Sequence, residues 1–164
     1  MERAAPVGKK RIGKRPICAP EVLNEAYDYA KPSAFSRGMR VELGDVVMLF
    51  ISGTASVDEN GESVHVGDLR NQVRRMFFNV TKLLEAEGAD WHDVARTTIY
   101  LKSMSSDYAA FNEERCAFYD QYGVHPPPAS TCVEAGICRP ELLCEMEAIA
   151  VIPSDRPRPK ANGK

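Results

Sequence analysis

Near its C-terminal end the chain reads Leu142-Leu143-Cys144-Glu145-Met146-Glu147-Ala148-Ile149-Ala150-Val151-Ile152. In a β-strand successive side chains point to opposite faces, so this stretch divides into two sets. Leu142, Cys144, Met146, Ala148 and Ala150 suit a core packed under helices. Leu143, Glu145, Glu147, Ile149 and Val151 mix two carboxylates with three large aliphatics, too apolar for open water and too charged for a sealed interior. A partly buried subunit interface that contains a pocket accommodates both halves of that second set.

The rest of the chain supplies the partners of this strand. Val46 to Ile51 is an apolar run opened by Gly44-Asp45 and bounded by Ser52-Gly53, which reads as a buried strand. The Asn60-Gly61 step tolerates positive φ and predicts a hairpin returning toward Val64. From Asp68 as N-cap, Leu69, Val73, Met76, Phe77, Val80, Leu83 and Leu84 form one helical stripe, ended by Gly88. Asp93 to Leu101 is β-branched and reads as a second buried strand. A second helix is expected from about Asp107 to Tyr122, with Tyr108, Phe111, Phe118, Tyr119 and Tyr122 inward and Pro126-Pro127-Pro128 stopping it. Ala129 to Ile137 and Leu142 to Ile152 read as two closing strands joined by a turn around Arg139-Pro140. The resulting β-β-α-β-α-β-β order predicts an α+β fold, a single mixed sheet with two helices on one face.

Composition sets the outer limits. At 164 residues, with 44% hydrophobic and 27% charged, the chain has the size and make-up of one globular core. Residues 1–15 carry net +5 and residues 153–164 net +3; subtracting both from the overall −2 leaves −10 on residues 16–152. The division expected is a body at 16–152 between two basic flexible tails. An acidic body argues against a nucleic-acid-gripping surface. The odd set Cys18, Cys116, Cys132, Cys138 and Cys144 contains no CxxC pair and does not stand at metal spacing with His65, His92 or His125, so neither a disulfide framework nor a metal site is expected. No apolar run reaches membrane-span length and the basic N-terminus lacks a signal's apolar core, which makes the cytoplasm the expected address.

Leu49-Phe50-Ile51-Ser52-Gly53 before a turn, Gln72 and Asn79 on the first helix, Ala89-Asp90 before Asp93-Val94, Phe111-Asn112, and Glu145 to Ala150 at the end together resemble the YjgF/YER057c/RidA superfamily, also labelled endoribonuclease L-PSP, over about residues 25–152. The resemblance implies a chorismate-mutase-like fold, a homotrimer with pockets between subunits, and hydrolysis of reactive enamines and imines to keto acids and ammonia without a cofactor. It also implies substrate-binding roles for Gly53 (backbone), Asn112 (amide) and Cys132 (pocket wall), and a water- or proton-handling role for Glu145. The family's Pro-Ala-Arg-Ser/Thr signature reads Pro128-Ala129-Ser130-Thr131 here, and its pocket tyrosine appears as Phe35. Ser130 cannot replace a guanidinium bound to a carboxylate, a contact worth roughly 1.5–3 kcal/mol, so ordinary 2-aminoacrylate deamination is expected to be weak.

Ala34 to Arg37, Leu49 to Ser56, His65 with Gly67-Asp68, and Gly136-Ile137-Cys138-Arg139 with Glu145 also resemble the C-terminal half of the chorismatases. That likeness implies that Arg37 and Arg139 bind the substrate's anion while Glu145 serves as acid. Plainer roles stand beside each assignment: an ion pair for Glu145, surface charge for Arg37 and Arg139, a small filler for Cys132, capping for Asn112, a structural place for Glu147 and a solvated strand position for His65. The expected function is a RidA-like hydrolase or deaminase acting on a small carboxylate-bearing enamine, imine or chorismate-like metabolite. The alternatives are a non-catalytic metabolite-binding or regulatory trimer and, more remotely, an RNA-binding or endoribonuclease protein.

Overall fold

The computed structural model describes residues 11–30, 32–157 and 159. Most of the two basic tails, including residues 1–10 and 160–164, lies outside the described residues. The strands are β1 (Lys14–Pro16), β2 (Gly38–Leu43), β3 (Val46–Ala55), β4 (Val94–Leu101), β5 (Ala129–Glu134) and β6 (Cys144–Pro153), and the helices are α1 (Leu69–Glu85) and α2 (Met104–Tyr122). They form a single mixed sheet in the order β1-β2-β3-β6-β4-β5, antiparallel throughout except for the parallel pair β4–β5.

Helix α1 begins where its sequence says, with the Asp68 carboxylate accepting from the Asn71 amide at 3.0 Å. Val73, Met76, Phe77, Val80, Leu83 and Leu84 are all buried, joining one core with Ile99, Leu101, Met146 and Ala148 of the sheet. Each such side chain contributes roughly 1.5–3 kcal/mol by leaving water. Phe118 stacks on Phe77 at 4.3 Å, and Trp91 packs against both while its indole N–H donates to Thr81 Oγ1 at 2.8 Å. Along β6 the alternation is as read: Cys144, Met146, Ala148 and Ala150 are buried, whereas Glu145 and Ile149 are half-buried and Glu147 and Val151 exposed. On α2, Phe111 and Tyr119 are buried, but Tyr108 and Tyr122 face outward.

Three local expectations are corrected. The strand preceding α1 is not followed by a return strand at Val64; Val57 and Ser63 make only an isolated bridge, and the hairpin partner of β3 is β2, joined through Gly44 at φ 69°. β5 and β6 do not form a hairpin, because β4 lies between them and β5 runs parallel to it. His65 lies in the loop before α1 with a left-handed φ of 60°, not on a strand.

Candidate active site

The site is built where β3 and β6 lose their regular pairing. Ile51 faces Ala148 and Thr54 faces Met146, so one extra residue is accommodated around Ser52-Gly53, a β-bulge. Buried amides on α1 fix both strands near this point. Asn79 Nδ2 donates to the carbonyls of Ala55 and Val57 at 3.0 and 2.9 Å, while Gln72 donates to the Glu141 carbonyl at 2.9 Å and accepts from the Leu143 amide at 2.8 Å. The Glu145 carboxyl lies directly over the backbone of Gly53. A Cβ at residue 53 would fall 1.9 Å from Glu145 Oε1, so only glycine leaves room for this approach.

A cavity of about 150 Å³ opens beside this contact, and its walls include Tyr29, Phe35, Arg37, Gly53, Arg139 and Glu145. The Arg37 guanidinium lies over the rings of Tyr29 and Phe35 at 5.1 and 5.4 Å. Its Nε donates to the Asn24 carbonyl at 3.1 Å, and its backbone N–H donates to Glu25 Oε2 at 3.1 Å. The Arg37 backbone amide is therefore already engaged and is not open to an anion. Arg139 Nη1 donates to the Gly61 carbonyl at 2.5 Å and to Ser63 Oγ at 3.3 Å.

Both guanidiniums thus spend donors on neutral oxygens, and among the described residues the Glu145 carboxylate makes no ion pair. Burial pushes the Glu145 carboxyl above the usual carboxylate range, and the like charge of Glu147 adds to this, while Arg37 opposes it. A carboxyl raised above its usual range is a better partner for proton exchange, donating a proton and taking it back, as acid–base catalysis requires. Glu147 itself is exposed and accepts a hydrogen bond from the Tyr100 hydroxyl at 3.1 Å.

Asn112, Ser130 and Cys132 stand elsewhere. Ser130 and Cys132 lie on β5, at the sheet edge, in register with Thr97 and Ile99 and on the helix-covered side. Asn112 lies on α2 above them. The sequence reading therefore picked residues of two separate clusters, four at the β3–β6 crevice and three at the β5 edge. It missed Tyr29 and Cys138 in the crevice wall and Arg115 at the edge. Arg115 follows Asn112 by three positions, a helical spacing that places two side chains side by side, and this signal was available in the sequence.

Among the described residues no group of three or more His, Cys, Asp or Glu side chains is placed to hold a metal, and no helix is long and apolar enough to cross a membrane. A two-helix α+β domain with a half-buried, unpaired carboxyl against a glycine bulge defines a class of small proteins with an acid in a crevice. Residues 30–152 match the family described as Endoribonuclease L-PSP, and the chain belongs to that family, within the YjgF/RidA superfamily. It is 38% identical over 103 residues to a RutC family protein of Pyrococcus abyssi, covering 62% of this chain and 76% of that one. It is 32% identical over 103 residues to the 3-aminoacrylate deaminase RutC of Acinetobacter baylyi, covering 63% of this chain and 78% of the relative. The crystal structure of the YjgF gene product from E. coli superposes with a TM-score of 0.67 at 28% identity, over 84% of this chain and 98% of that one.

Proposed function

We propose that the protein hydrolyses a small carboxylate-bearing imine or enamine to the corresponding keto acid and ammonia, with Glu145 as the proton-handling residue and without a cofactor. Water adds to the carbon of the C=N bond, the C–N bond breaks, nitrogen leaves as ammonia and oxygen remains as the carbonyl. Glu145 in its protonated form gives a proton to the enamine carbon or the nitrogen, and its carboxylate recovers one from the attacking water. The Gly53 backbone places the carboxyl, and Arg37 and Arg139 make the crevice electropositive, favouring an anionic substrate. The observation that carries this reading is the Glu145 carboxyl held over Gly53 without an ion pair among the described residues, in a cavity that two arginines also line. The 3-aminoacrylate deaminase among the relatives supports the same reaction class.

The crevice is open on one side, and the sheet face away from the helices exposes Leu43, Val46, Phe50, Val133 and Val151. Apolar area of this kind marks a protein contact. It supports a homotrimer in which Asn112, Ser130 and Cys132 of one copy close the crevice of the next. Light scattering is expected to give the mass of three chains.

The test is turnover of imines and enamines generated in situ, with chorismate included, by wild type and by Glu145→Gln. Wild type should be active and the variant slower by roughly 10²- to 10⁴-fold. Turnover that is equal in the two, or equal to buffer, overturns the catalytic role. The serine at position 130 favours a second reading, a trimer that binds a keto or amino acid without converting it; saturable binding with no turnover by wild type would select it.

A further inference from the structure

Arg115 stands among neutral acceptors at the outer edge of the sheet. Its Nη2 donates to Asn112 Oδ1 at 2.5 Å and its Nη1 to Ser130 Oγ at 3.3 Å, and its guanidinium lies 5.2 Å from the centre of the Phe111 ring. Among the described residues no carboxylate forms an ion pair with it. The acids beside it in sequence face the other way: Glu113 and Glu114 are bound by Arg70 and Arg74 of α1 at 2.5 to 2.8 Å. The edge therefore holds a half-buried cation with two neutral hydrogen-bond partners and donors to spare, which is a receptor for a carboxylate.

The small side chain at 130 is what lets the guanidinium sit there. Ser130 Oγ is already fixed by the Thr97 hydroxyl at 3.0 Å, so it meets Arg115 as a preset acceptor. A long cationic side chain at position 130 would run through the same volume and repel Arg115. The charge that position 130 lacks on the strand is thus supplied from the helix above it. Arg115 is also the charge whose field reaches the nearby Cys132 thiol, which it opposes burial in titrating.

We propose that Arg115 binds the carboxylate of the substrate, presented by one copy of the chain to the Glu145 crevice of its neighbour. The proposal rests on the shared-crevice reading above and assigns the substrate's anion to a residue of the second copy, with Arg37 and Arg139 left to set the field inside the crevice. β4 separates β5 from β6, and Ser130 and Glu145 occupy opposite faces of the sheet, so one copy alone does not bring the two groups together.

The test measures binding of pyruvate and of its uncharged counterpart pyruvamide by titration calorimetry, with the mass of each variant checked by light scattering. Wild type should prefer pyruvate. Arg115→Ala should weaken pyruvate roughly 10- to 100-fold and leave pyruvamide unchanged, the loss of a charge-assisted contact. Returning the guanidinium from the strand, in Arg115→Ala with Ser130→Arg, should restore the preference for pyruvate. Should Arg115→Ala dissociate the assembly, Arg115→Lys keeps the charge and should keep the preference while losing roughly tenfold in affinity with the planar fork. Unchanged pyruvate binding in Arg115→Ala or in Arg115→Lys overturns the proposal. If Arg37→Ala or Arg139→Ala abolishes the preference instead, the crevice reading survives. If wild type neither binds pyruvate nor turns over any imine, both readings fall.

Discussion

Two glutamates in this molecule, one buried and one half-buried, have opposite fates. Glu87, only 2% exposed, is gripped by Arg15 through two hydrogen bonds at 2.8 and 2.5 Å and approached by Arg40 at 3.3 Å. Glu145 is half-buried with Arg37 and Arg139 lining the same cavity, yet among the described residues neither guanidinium forms an ion pair with it. The difference lies in where the arginine donors go. At Glu87 they are free to close on the carboxylate, so the group ties β1 and β2 to the end of α1. At Glu145 they are partly satisfied by the carbonyls of Asn24 and Gly61. A carboxyl that is half-buried without being captured holds its proton more tightly than one in water and can exchange it, whereas one that is captured serves as a fastener.

The largest test of this contrast is Gly53→Ala. The new Cβ would meet the far end of the Glu145 side chain, which can swing aside, so stability should change little while turnover falls by about 100-fold or more, comparable with loss of the acid itself. Thermal unfolding measured beside steady-state kinetics separates the two effects. A Gly53→Ala protein of full activity would break the claim that the close approach sets the acid's position.

Next comes Glu87→Gln, which leaves Arg40, 4% exposed, without its full counter-charge. Denaturant unfolding should show a loss of about 3 kcal/mol, the size expected when one partner of a buried pair is removed, with turnover per folded molecule unchanged. The opposite pattern, intact stability and lost activity, would erase the distinction between fastener and acid.

Smaller effects follow the titration of Glu145. Glu147 raises the Glu145 pKa, so Glu147→Gln should lower it and move the fall of activity at the basic end of a pH–rate profile to lower pH; Arg37→Ala should move it to higher pH. A carboxyl whose pKa is higher folded than unfolded binds more protons in the native state. Stability from it is therefore lost as pH rises from the unfolded value through the folded one. Glu145→Gln should accordingly match wild type in acid and gain on it modestly as pH rises past that window, measured by thermal melts across pH. A gain that appears instead on acidification would reverse the assigned shift.

Legibility of the fold followed the locality of its causes. Helix α1 was readable because its cap, stripe and stop all lie within it. Strand β2 was not, since its inward positions include Gly38 and Arg40 in place of an apolar alternation; Arg40 is tolerated there only because Glu87, far along the chain, meets it. The turn at Arg139-Pro140 suggested a hairpin from chain proximity alone, while the actual neighbour of β5 is β4, reached across α2. At the site, Arg37, Gly53, Arg139 and Glu145 were named from sequence and do line one cavity. Arg115 was passed over because its significance depends on the serine that faces it from another strand.

The sequence by itself determined the α+β order, the core face of β6 and the presence of an acid on its other face, because periodicity, capping and turn residues act over a few positions. Only the tertiary structure decided which arginines capture a carboxylate and which stop short of one. That outcome depends on competing carbonyls and hydroxyls brought in from distant segments, and a guanidinium's donors are spent once, on whichever acceptors the folded chain places nearest.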